Sequence, residues 1–70
     1  MVRTPADFIR NDLGGAQAVA DRLGMKASSV RMWVHRNRVP RSAWPEILEA
    51  YKSVKLKDLR AIEQAGRDAA

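Results

Sequence analysis

Gly24 separates two short segments, AVADRL and ASSVRMWVHR, whose apolar residues recur at helical spacing, and this constrains the fold more than any other feature. Val19, Ala20 and Leu23 share one side of the first segment. Val30, Trp33 and Val34 fall at i, i+3 and i+4 in the second, which is one helical face. A sharp turn between helices needs a residue that accepts positive φ, and glycine does so without steric cost. The pattern therefore predicts helices over about Ala16–Leu23 and Ala27–Arg36, packed across a three-residue turn.

The remaining punctuation predicts three more helices and no strand. Thr4-Pro5-Ala6-Asp7 reads as a helix start, with a Thr cap, Pro at the first helical position and an acid three residues after the cap. Phe8, Ile9 and Leu13 supply its apolar face, and Gly14-Gly15 ends it. Asn37 reads as a left-handed terminator of the third helix, and Val39-Pro40 breaks any continuation of it. Ser42 is the expected cap of a fourth helix reaching about Tyr51, with Pro45 in its first turn, where a missing N–H costs little. Leu56, Leu59 and Ile62 outline a fifth helix over about residues 55–66 and read as core. The tail GRDAA is expected to fray. The expected fold is all-α, a compact five-helix arrangement in one domain over residues 1–70, with no repeat or long linker.

Seventy residues bury only about 60% of their unfolded surface, so one modest core is available. Cysteine is absent and histidine occurs once. Disulfides and thiolate sites are excluded, and neither a metal nor a cofactor is expected. No apolar run approaches the roughly 18 residues of a membrane span. The N-terminal stretch MVRTPADFIRN carries acids and lacks the apolar segment of a secretory signal. A cytoplasmic protein is the expectation, with no membrane and no small-molecule substrate as partner. Ser28 and Ser29 have no neighbouring base or oxyanion site in the sequence, so catalysis is not expected.

The net charge of +5 is unevenly placed. Residues 1–44 hold eight Lys/Arg and three Asp, whereas residues 45–70 hold five of each sign. Lys26 to Arg41 contains five Lys/Arg, His35 and no acid. Such a one-signed segment suits a polyanion, and nucleic acid is the commonest.

Two helices joined by a short turn are commonplace, but a pair that reads DNA has steric requirements of its own. Ala20 gives the small residue needed at the crossing. Gly24 follows four residues later. Val19, Leu23, Met25, Val30 and Trp33 close the wedge between the helices. In this register AVADRLGMKASSVRMWV, Ala18 to Val34, resembles the helix-turn-helix of phage Cro and lambda-repressor-type regulators. The next stretch, RNRVPRSAWPEIL, resembles relatives in which a Trp in the reading helix precedes a basic loop, a Val/Ile-Pro pair and another helix. The resemblance covers about half the chain, roughly Gly14 to Leu48, with the helix-turn-helix core at about 16–36. Two positions depart from it. Ala16 stands where many members have Gln, with Gln17 one residue later, and Lys26 stands where many have a Ser or Thr cap. Lysine cannot cap, so its ammonium is free for a phosphate.

A helix in the major groove has phosphates on both sides, so its flanks should be cationic. Lys26, Arg36, Arg38 and Arg41 are the phosphate candidates, which position a protein without reading sequence. By resemblance, Gln17 joins them or braces the reading helix. With Val30, Trp33 and Val34 in the core, the outward face is Ala27, Ser28, Arg31, Met32 and His35, with Ser29 at its edge. Arg31 is the principal base reader, because its fork matches guanine O6 and N7. Ser28 can bond several bases or a phosphate, Ala27 and Met32 can pack on thymine methyls, and His35 reaches a base or the backbone. Trp33 reads as core, while Trp44 either packs between the third and fourth helices or flanks the DNA.

The resemblance implies a sequence-specific regulator of transcription that binds double-stranded DNA in prophage-type or mobile-element control, or an antitoxin. A chain this short has no room for a ligand-sensing domain, so a repressor that occludes a promoter is expected. One module buries only about 600–1,000 Å² on DNA, and a homodimer on half-sites about 34 Å apart is the usual remedy. The neutral C-terminal helix is the candidate dimer contact. Three alternatives stay open: a small activator that touches polymerase through its fourth or fifth helix, a protein-binding adaptor that keeps the helix-turn-helix shape, and a non-specific DNA-coating protein.

Overall fold

In the computed structural model, which describes residues 3–69, α1 (Pro5–Asp7) starts where the Thr4 signal predicts, and the Thr4 hydroxyl accepts the Asp7 amide at 3.3 Å. The helix then widens into a π turn over Phe8–Asp12, closed by the Leu13 amide on the Phe8 carbonyl at 3.0 Å. Single π turns of this kind shift the helical phase. Here Pro5, Phe8, Ile9 and Leu13 are all buried despite their uneven spacing. The chain reverses at Gly14-Gly15 into α2 (Ala16–Leu23).

Gly24 caps α2 at φ 67°, in the left-handed region, and the Met25 amide bonds back to the Ala20 carbonyl at 3.0 Å. After residues 24–26 the chain enters α3 (Ala27–Arg36). Both helices have the predicted bounds. Val19, Ala20 and Val30 are fully buried, so the α2–α3 crossing lies over the centre of the core. Asn37 ends α3 at φ 54°, with the Arg38 amide on the Trp33 carbonyl at 2.9 Å.

From Trp33 onward the structure departs from the sequence reading in four places. Ser42 is not a cap: residues Arg41–Ala43 form a 3₁₀ turn that leads into α4 (Trp44–Ala50), and no side chain caps that helix. Pro45 does lie in its first turn. The tail that reads as a loose end is instead helical as far as Ala69, the last residue of α5 (Leu56–Ala69); Ala70 lies outside the described residues. Leu56 is 43% exposed instead of core, since it begins α5 beyond the packed face made by Leu59 and Ile62. Trp33 and Val34 pack against the core as expected but are only half-buried, Trp33 at the rim beside Leu23, Met25, Ala43 and Glu46, whereas Trp44 is buried.

The helices of the described residues share one core, whose largest fully buried side chains include Ile9, Val19, Val30, Ile47 and Leu59. Burying side chains of this size contributes about 1.5–3 kcal/mol each. No strand occurs among the described residues, and none of their helices is long and apolar enough to cross a membrane. Polar contacts close the helix ends. The Tyr51 hydroxyl donates to the Leu13 carbonyl at 3.3 Å, and Arg22 Nη1 donates to the Ala50 carbonyl at 2.9 Å, with its guanidinium 4.9 Å from the Tyr51 ring centroid. At the start of α5 the Asp58 carboxylate accepts the Lys55 amide at 3.0 Å.

Candidate nucleic-acid interface

The core takes one side of α3 and thereby fixes what the other side offers. Ser28, Arg31, Met32, His35 and Arg36 are exposed, and Met32 is, with Leu56, a large apolar residue left in solvent among the described residues. Ser29 is half-buried at the edge of this face. Ala27 is also half-buried and packs against the core, which restricts it to the rim of any contact made by α3. Lys26 and Arg38 are exposed at either end of the helix. Among the described residues, the side chains of Lys26, Ser28, Arg31, His35, Arg36 and Arg38 have no hydrogen-bond or ion-pair partner. Their donors are free for an external anion or base edge.

One side of this face deepens into a cleft of about 510 Å³ lined by Arg10, Ala16, Arg31, Val34 and His35. Three elements meet there, and no acid lines it. Arg10 is the residue the sequence reading missed. It follows the core pair Phe8-Ile9 and looks like any exposed charge in a surface helix. Only the π turn and the packing of α1 beside α3 bring it to Arg31 and His35.

Two phosphate candidates are engaged within the chain. Gln17 Nε2 donates to Asp21 Oδ1 at 3.0 Å on its own helix, so it does not brace α3 as the resemblance implied. Arg41 makes a two-pronged bond to Glu63 of α5, Nε to Oε2 at 3.0 Å and Nη2 to Oε1 at 2.7 Å, and its guanidinium stands 5.3 Å from the Trp44 ring centroid. Arg67 Nη2 approaches the same carboxylate at 3.8 Å. The hydrogen bond from Arg41 holds the Glu63 carboxyl below its ordinary range, and the charges of Arg41, Arg67 and Arg38 add to that effect against partial burial. Glu63 raises the Arg41 pKa in return. A carboxylate so committed leaves Arg41 with fewer free donors than Arg36 or Arg38.

Among the described residues no group of three or more His, Cys, Asp or Glu comes together. No family model, curated protein or solved structure matches this chain.

Proposed function

We propose that this chain is a sequence-specific double-stranded DNA-binding regulator of the helix-turn-helix type, in which α3 enters the major groove. The observation that carries the reading is the outer face of α3, where Ser28, Arg31, Met32 and His35 stand exposed beside an acid-free cleft. Arg31 reads guanine through its fork, Ser28 and His35 bond base edges or the backbone, and Met32 packs on a thymine methyl. Lys26, Arg36 and Arg38 hold phosphates on the two sides of the groove, and Arg10 joins them from the π turn after α1.

Repression by occupation of a promoter is the proposed mode of action, a binding role without catalysis. Two copies on an inverted repeat, with half-sites about 34 Å apart, give one small module enough contact. The exposed Leu56 at the start of α5 is the candidate point of contact between them.

Selection of bound duplexes from a random pool at near-physiological salt tests this reading. An enriched inverted repeat is the expected result, and a single enriched half-site would keep base reading while removing the dimer. Binding without enrichment would favour a coating role, for which log K falls by about 0.9 per phosphate contact for each tenfold rise in salt, whatever the sequence. No binding at all would favour a protein partner for the α3 face, where the exposed Met32 offers the adaptable apolar contact such surfaces use.

A further inference from the structure

The last turns of α5 lie unusually close to the end of α3. A Cβ on Gly66 would come within 2.8 Å of the Asn37 carbonyl oxygen and 2.9 Å of Pro5 Cγ. Only a residue without a side chain permits that approach. Its consequence is electrostatic. Arg67, the next residue, comes to line the same hollow as Arg36 and Arg38, a space of about 290 Å³ where α1, α3 and α5 meet.

We infer that this hollow binds a phosphate group through Arg36, Arg38 and Arg67. Glu63 is the one acid lining it, and Arg41 already occupies that carboxylate with two hydrogen bonds. Arg67 Nη2 forms a long ion pair with Glu63 at 3.8 Å, beyond hydrogen-bond range, so its N–H donors stay open to a second anion. Two guanidiniums without a partner among the described residues, Arg36 and Arg38, and a third held only by that long ion pair therefore surround one concavity. Guanidinium forks fit phosphate oxygens in paired hydrogen bonds, which lysines or a diffuse positive surface do not supply. The volume falls just below the roughly 300–1,000 Å³ of pockets for drug-sized ligands, which suits a small anion. Pro5 is buried and Gly66 packs against Asn37 and Pro5, so the floor of the hollow is set by packing while the arginine side chains around it are exposed.

The phosphate has two sources: the backbone of a DNA duplex, which rests on the function proposed above, or a free phosphorylated ligand, which does not. Inorganic pyrophosphate is titrated into the isotope-labelled full chain while the arginine Nε–H signals are followed. Saturable shifts are expected at Arg36, Arg38 and Arg67. Arg67→Ala should weaken binding about tenfold, the scale of one lost hydrogen bond to a charged group. Arg60→Ala, which removes the same charge from an exposed site on the same helix, should weaken it less than about twofold. In a second arm, log K for duplex DNA is measured against salt. If Arg67→Ala lowers the slope by about one and Arg60→Ala does not, the phosphate is that of the backbone. An unchanged slope beside lost pyrophosphate binding would assign the hollow to a free ligand. Absence of saturable shifts, or equal losses in the two variants, would overturn the site. Failure of the wild type to bind any duplex would remove the proposed function and leave the pyrophosphate result to decide the hollow.

Discussion

The Ala6 amide donates to Asn37 Oδ1 at 2.9 Å, joining the start of α1 to the end of α3 across 31 positions of the chain. Every amide of the first turn of α1 is accounted for. Pro5 has none, Ala6 bonds Asn37, Asp7 bonds the Thr4 hydroxyl, and Phe8 bonds the Thr4 carbonyl at 2.9 Å. Asn37 holds φ 54°, so one residue closes α3 and caps α1. The end of the helix proposed to read DNA is thereby fixed against α1, which leads directly into the π turn that carries Arg10.

Two substitutions separate these roles of Asn37. Asn37→Gly keeps the left-handed backbone and removes the cap, for an expected loss of about 1 kcal/mol. Asn37→Ala should lose about 1–2 kcal/mol more, the cost of a left-handed conformation with a Cβ. Urea unfolding measures both, and equal losses would contradict the backbone role.

Gly66→Ala should lower Tm, although alanine is the better helix former by about 0.8–1.0 kcal/mol. The added Cβ meets backbone and a proline ring, neither of which yields easily. One kcal/mol shifts Tm by about 4–8 °C in a domain of this size, so calorimetry resolves the sign. A rise in Tm would mean that the tail is frayed after all.

The legible parts of the fold are those decided locally. Gly24 and Asn37 are terminators whose φ angles follow from their residue types, and the phase of Val19, Ala20 and Val30 fixes which faces meet. The bounds of α2 and α3 and most of the exposed face of α3 follow from these signals. The rest depends on contacts distant in sequence. GRDAA is polar and reads as a loose end until Gly66 is placed against Asn37. Arg41 reads as one more free cation until Glu63, 22 residues later, takes its guanidinium. Arg10 has no signal of its own, because the π turn that directs it is a tertiary adjustment of α1.

Acid should weaken the Arg41–Glu63 contact. The folded-state pKa of Glu63 lies below its ordinary 4.5, so its contribution to stability is present above that value and is lost as pH falls through the folded pKa. The Tm difference between wild type and Glu63→Gln should therefore be constant near neutrality and shrink below about pH 4.5. A difference independent of pH would show that the carboxylate charge contributes nothing.

On DNA, Arg31→Ala should cost about 1–3 kcal/mol on the preferred site and little on random duplex. Arg10→Ala and Lys26→Ala should each weaken every duplex alike and lower the salt slope by about one. Equal losses for Arg31→Ala on both duplexes would move it from base reading to phosphate contact. An unchanged slope for Arg10→Ala would detach the cleft from the interface.

The most direct measurement is an amide and side-chain NMR map of the full chain as duplex DNA is added. Ser28, Arg31, Met32 and His35 should shift first and furthest, joined by Arg10, while Glu49 and Lys52, on either side of the end of α4, stay unchanged. Perturbations centred on α4 and α5 with a silent α3 would contradict the assignment of α3 as the DNA-reading helix.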